Sequence, residues 1–502
     1  MNSWHDLVQK ALLGTERQPE VTAGAEQALL ADITHQAYRR RAGARPDLRL
    51  GGWDSPAPAD KRPPCTPEAA ALLGANLSSS KTWLIQEWLE LARQRGVRPA
   101  ADQLPELLEM GRRSRALRQL VFATLDARGR WLAPQRSEWL YATLDVTDDR
   151  SVQAILDSGL AAEQQFVVQQ LRLHDPDRAR GWIERIWPDA NSRLRMLMLD
   201  LMGPGLSMSD EPFLEGLLDE ESLGVRRRVA DLLSRLPESR LAGRMAARAR
   251  RYLRWVPAQG RTPATIALQP PAQLSESELR DGLAEPVRQG QLNRQGWQLL
   301  NFLRATPLWV WTEHFPYPLE EIIAAGLASE LDVSLIRGWA TAAERQENLA
   351  WAEALLFGCP EIVEGRYASA SLLQILSPAG REQLTLFYVG QPDDGPAIKR
   401  YGRETTALRE CKHSWSEPFA RRILERFGSY LSDSQQDGLP QLNLQRTLRQ
   451  MAYHFPPALL PECQQRLLPL VAGQKRWQGP VNGFLRILET RASLYDAFLK
   501  EN

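Results

Sequence analysis

Six histidines and four cysteines are the residues in this chain best suited to bind a metal or attack a substrate, and their spacing assembles no familiar site. His5, His35, His174, His314, His413 and His454 are mutually remote. Cys411 and His413 come close in sequence, but not in the pattern of a zinc site. Cys65, Cys359, Cys411 and Cys463 contain no CxxC pair, and a chain of 502 residues needs no disulfide staples, so free thiols are expected. The run Ser78-Ser79-Ser80-Lys81-Thr82 looks superficially like a phosphate loop but lacks the glycines that let backbone amides close around a phosphate. Its serines are better suited to cap the helix carrying Trp83 and Trp88. Asp393 and Asp394 lie in a Gly/Pro-rich stretch and read as a solvated turn. There is no GxSxG elbow. No catalytic residue, metal ligand or cofactor is expected from linear motifs, which leave open only a site assembled from distant helices.

Arginine supplies the one charge pattern that stands out. Between Gly224 and Arg261 there are eleven arginines against two acids, Asp231 and Glu238. A helix is predicted over 238–254. At 100° per residue, Arg240, Arg244, Arg248, Arg251 and Arg254 fall within about 120° of one another, a cationic stripe roughly 20 Å long. Leu241, Met245, Ala249 and Tyr252 form the adjacent apolar stripe. Like charges at i,i+4 oppose helix formation by about 0.2–0.5 kcal/mol per pair, so something should offset them. Two readings stand side by side. Asp210, Glu211, Glu215, Asp219, Glu220 and Glu221, just upstream, can neutralise the stripe from a neighbouring helix. Alternatively, the stripe faces outward and meets the carboxylates of a protein or the phosphates of a nucleic acid. With 62 basic and 61 acidic side chains the chain has no global field, which places a protein ahead of nucleic acid and excludes general attraction to an anionic membrane.

The elements that must position these residues are helical. Trp182, Ile183, Ile186, Trp187, Leu194, Arg195, Leu199 and Met202 recur 31 positions later as Phe213, Leu214, Leu217, Leu218, Val225, Arg226, Ala230 and Leu233. Such a period marks stacked helix pairs, each covering its neighbour's apolar stripe. Residues 1–112 read as an N-terminal helical region, with helices at 3–13 and 24–42 and a proline-rich linker at 43–67. Helical repeats fill 113–255, a linker covers 256–275, and a C-terminal helical domain runs from 276 to 502. Thr265–Leu268 is a candidate extended piece, and 390–403 reads as an exposed loop. Ser414 and Glu417 have the form of a capping box. Of the sixteen tryptophans, Trp83, Trp88, Trp182, Trp187, Trp297, Trp339 and Trp351 lie in helical phase as packing anchors. Trp309 and Trp311 fall in an irregular aromatic segment and are candidate surface contacts. The amino terminus lacks the form of a signal peptide and no apolar run reaches about 20 residues, so a cytoplasmic protein with no membrane span is expected.

Four segments resemble a bacterial domain family of unknown function: Ala11–Pro19, Arg128–Ala133, Phe213–Pro237 and Trp477–Leu494. The likeness runs over almost the full length. The segment 213–237 also resembles a HEAT repeat, with Asp219 at the inter-helix turn and Val225-Arg226 on the second helix, one residue beyond the usual spacing. The fold expectation is an all-α, HEAT-like helical-repeat (α-solenoid) architecture in two halves. The resemblance transfers no activity to any residue. It implies an accessory role beside MoxR-type AAA+ ATPases, von Willebrand factor A-domain proteins and SWIM zinc-finger proteins.

These observations lead to a non-enzymatic scaffold or adaptor that binds protein partners, an AAA+ ATPase or a von Willebrand factor A-domain protein among them. Its expected contacts are Arg240, Arg244, Arg248, Arg251, Arg254, Trp309 and Trp311. The alternative is a nucleic-acid-binding HEAT-like protein or a DNA glycosylase-like enzyme, for which Tyr252 and Trp255 supply aromatics but no carboxylate can be named.

Overall fold

Leucine, alanine and tryptophan recurring every three or four positions give helices along most of the described residues, and the fold is all-α. The computed structural model describes residues 25–41, 57–77, 81–142, 148–158, 161–268, 273–283, 294–363, 367, 370–390, 397–432 and 441–499. The helix expected at 3–13, most of the 43–67 linker, the Ser78–Ser80 caps and Asp393–Asp394 lie outside them. The chain divides into two units, Met1–Pro58 and Ala59–Asn502. The first contains the helix Ala25–Arg41, close to its expected bounds. No helix among the described residues is long and apolar enough to cross a membrane.

In the second unit the two copies of the 31-residue pattern are two helix pairs. Pro176–Ile186 precedes Ser192–Leu201, and Glu211–Gly216 precedes Leu223–Leu233. Asp175 and Asn191 cap the first pair by accepting the backbone N–H groups of Arg178 and Leu194. Ile183, Leu214, Leu199, Ala230, Met202 and Leu233 are buried, as the shared phase requires. Leu194 is the departure: it is exposed, whereas its counterpart Val225 is fully buried. The copies meet where the Trp187 and Phe213 rings pack edge to face at 5.7 Å.

One apolar cluster runs from Cys65 to Ala407 and takes in Leu494, Ala497 and Phe498. A second gathers Cys411 through Leu488. The helix Lys475–Leu499 feeds both, and its end returns to the start of the unit. Thr66 Oγ1 donates to the Ala497 carbonyl at 2.7 Å, and the Trp88 and Phe498 rings lie 5.4 Å apart. Trp88, Trp182, Trp187, Trp339 and Trp351 are buried anchors, while Trp83 and Trp297 are half-buried. All four cysteines are free and buried.

Four local expectations need correction. The arginine helix ends at Tyr252, so Arg254 lies on strand β1 (Leu253–Val256), which pairs antiparallel with β2 (Thr265–Leu268) inside the stretch read as a linker. Leu253 and Ile266 are buried there, and that burial holds the hairpin on the body. Trp309 and Trp311 belong to a short helix, Trp309–His314. Part of the expected 390–403 loop is helical, Ala397–Glu410, because Ala407 enters the core and Glu404 is bonded by Arg426 and Tyr430. The helix Glu417–Ser432 is capped by Ser416, which accepts the Phe419 N–H, in place of Ser414.

Candidate functional site

Glu211 and Glu215 occupy successive turns of one helix, and Arg240 and Arg244 do the same on another. Two i,i+4 ladders of opposite sign therefore face each other at one pitch. Arg240 Nε lies 2.9 Å from Glu211, and Arg244 Nη2 lies 3.0 Å from Glu215. A third acid comes from beyond the hairpin. Asp281, only 2% exposed, takes Arg244 and Arg248, each at 2.7 Å. Gly282 follows at φ +84, and a Cβ there would meet Ala230 Cβ at 2.6 Å, so glycine permits the close approach that seats Asp281 under the arginines. Arg280 joins Glu215 at 3.2 Å and Asp219 at 2.6 Å.

The titration of these groups follows from that wiring. The hydrogen bond from Arg240 holds Glu211 below the usual glutamate range, against the opposing pull of burial. Arg280 lowers Asp219 in the same way. Burial works against the charge on Arg244, but its bonds to Asp281 and Glu215 raise its pKa. Two further upstream acids, Asp210 and Glu220, are also engaged. Asp210 is fully buried against Arg172 at 2.8 Å, and Glu220 takes Arg195 at 2.8 Å. Arg240, Arg244 and Arg248 thus have internal partners.

Arg251 and Arg254 do not share that fate. Both are exposed, and neither forms an ion pair among the described residues. Arg251 lies over the Tyr252 ring at 5.8 Å. Beside them Arg250 reaches Glu313 at 2.8 Å and covers the Trp309 ring at 5.5 Å. Trp309 is 38% exposed and donates its indole N–H to the Pro237 carbonyl at 3.3 Å. Trp311, expected at the surface with it, is fully buried between Phe315 and Trp339, because the short helix turns it inward. Trp255 stacks on exposed Tyr317 at 4.1 Å. What remains outward is a cationic and aromatic surface centred on the hairpin.

Sequence spacing missed a second feature. A polar cleft of about 230 Å³ opens between the helix Thr82–Arg95 and the C-terminal elements. Arg491, 1% exposed, holds both Glu87 oxygens at 2.9 Å from Nε and donates from Nη1 to the Ala452 and Phe455 carbonyls. Burial first, then Arg491, His413 and Lys412, push the His454 pKa down to about 4, so this imidazole is neutral at pH 7. Trp83 and Tyr453 pack at 5.0 Å on one wall. The arrangement provides a neutral donor and acceptor beside an aromatic pair. Among the described residues there is no group of three metal-ligating side chains. The cleft draws on residues near 87, 413, 454 and 491, and no linear motif could have linked them.

A family described as a family of unknown function, DUF5691, matches residues 6–498. No curated protein and no solved structure matches the chain.

Proposed function

The chain belongs to the family of unknown function DUF5691, and we propose that it is a non-enzymatic, cytoplasmic helical-repeat scaffold that binds protein partners. The paired helices from Pro176 to Leu233 supply HEAT-like units, which stack into extended surfaces without needing reactive groups. One observation carries the reading. The internal ladder consumes Arg240, Arg244 and Arg248, while Arg251, Arg254 and Trp309 stay outward beside Arg250. Arginine and tryptophan on one exposed face are the residue types that dominate protein–protein contacts. Nucleic acid is the weaker partner, because three of the five arginines in the stripe are already neutralised.

The resemblance noted above points to a MoxR-type AAA+ ATPase or a von Willebrand factor A-domain protein as the partner. Equilibrium binding of each purified protein to the full chain tests this, with duplex DNA as the competing ligand. A stable complex with either protein, weakened by Trp309→Ala, is expected. Binding of DNA alone would replace the scaffold reading with the nucleic-acid one.

A further inference from the structure

Among the described residues, the hairpin leaves one backbone edge unpartnered. Its loop is two residues, Gly260 and Arg261, closed by the reciprocal pair Gln259 N–H to Thr262 O and Thr262 N–H to Gln259 O, both at 3.0 Å. Gly260 has φ +60, the first central position of a type II′ turn. The register runs without a bulge from this pair to Val256↔Thr265, Trp255↔Ile266, Arg254↔Ala267 and Leu253↔Leu268. In an antiparallel ladder, opposed residues exchange both hydrogen bonds at every second pair. Counting from Gln259↔Thr262, Trp255↔Ile266 falls on an exchanging position, while the Leu253 N–H closes the preceding helix on the Ala249 carbonyl. The N–H and C=O groups of Arg254 and Val256 therefore point away from β2. Pro257 lacks an N–H, which explains why the ladder lapses just beyond Val256.

Side chains around this edge set its chemistry. Arg254 and Val256 are exposed, Val256 by 39%, and Arg251 and Arg261 are exposed nearby. Tyr317, 37% exposed, stacks on Trp255 beside the strand, and Trp309 lies under Arg250. Glu313, an acid on this surface, is held by Arg250. A second copy of the same edge would bring arginine against arginine, which disfavours self-pairing. An acidic strand meets no such repulsion, and its carboxylates would find Arg251 and Arg254, which have no ion pair among the described residues.

We infer that the outer edge of β1 is a docking site for an extended acidic segment of a partner protein, which adds as a third strand to the hairpin. The inference rests on the scaffold reading and specifies how that scaffold grips. Main-chain bonds from Arg254 and Val256 hold the segment, arginine pairs select its charge, and Tyr317 and Trp309 take its apolar side chains.

The test uses the full chain and a fluorescent heptapeptide of alternating glutamate and valine. Controls are the same peptide N-methylated along one edge and a lysine–valine counterpart. Wild type is expected to bind the acidic peptide at low salt. N-methylation of the peptide and the Arg251→Glu/Arg254→Glu double substitution are each expected to weaken it about tenfold or more. Circular dichroism confirms that the substituted chain is folded. Equal binding of parent and N-methylated peptides would overturn strand addition, and so would unchanged binding by the substituted chain or no binding at low salt. If an AAA+ or von Willebrand factor A-domain protein binds wild type and the substituted chain equally, the scaffold reading survives and this edge does not.

Discussion

Arg244 and Asp281 meet at 2.7 Å although 37 positions and a β-hairpin separate them. Asp281 is the hub that joins the hairpin's return to the arginine helix, since it also takes Arg248 at 2.7 Å. Removing one partner of a buried pair strands the other charge. Asp281→Ala is expected to cost about 3–5 kcal/mol, read as a fall in the urea midpoint. Asp281→Leu with Arg248→Met should recover a large part of that loss, because no buried charge is then left alone on that arm.

The two tryptophans of the 309–311 segment should separate cleanly. Trp311 is fully buried, so Trp311→Ala is expected to destabilise the fold by about 3–5 kcal/mol. Trp309 is exposed and held by Arg250 and one carbonyl bond, so Trp309→Ala should cost at most about 1 kcal/mol. Chemical denaturation of the two variants checks the contrast. Partner binding should show the reverse order of sensitivity.

His454 makes stability depend on pH in a defined window. Its pKa falls from the ordinary 6.5 to about 4 because burial, Arg491, His413 and Lys412 all oppose a further positive charge. Glu87 does not relieve this, being held by Arg491, and Glu382 is engaged by His413. A depressed folded pKa means the unfolded chain takes the proton first. The contribution is complete above about pH 6.5 and is lost as pH falls towards 4. Wild type should therefore lose stability relative to His454→Gln across that interval, measured by urea unfolding at matched pH values.

Thiol chemistry gives a further check. Cys359 and Cys463 are pushed up to about 12 and Cys411 to about 11, chiefly by burial, and Cys65 is raised as well. Native protein at neutral pH should leave a bulky disulfide reagent nearly unreacted, and denatured protein should titrate four thiols.

Periodicity made the helix order, the two 31-residue copies and most tryptophan anchors legible in the sequence, because each depends on contacts at fixed spacing within or between adjacent helices. The pairing of Arg240 and Arg244 with Glu211 and Glu215 was legible for the same reason, as one of two open readings. Asp281 was not, because its approach depends on a hairpin whose Gly260-Arg261 turn is flanked by Pro257 and Pro263 and reads as a linker. Trp311 and Trp309 differ in burial through the facing of a single short helix, which a run of aromatics and prolines conceals. The cleft around Glu87, His454 and Arg491 joins segments from opposite ends of the unit, and no local pattern encodes that closure.

Hydrogen exchange on the full chain, with and without a purified MoxR-type ATPase or von Willebrand factor A-domain protein, tests the account most directly. Partner binding is expected to slow exchange at residues 250–261 and 309–317, around Arg251, Arg254 and Trp309. Slowing confined to the cleft of Glu87, His454 and Arg491, or exchange unchanged by either protein, would contradict it.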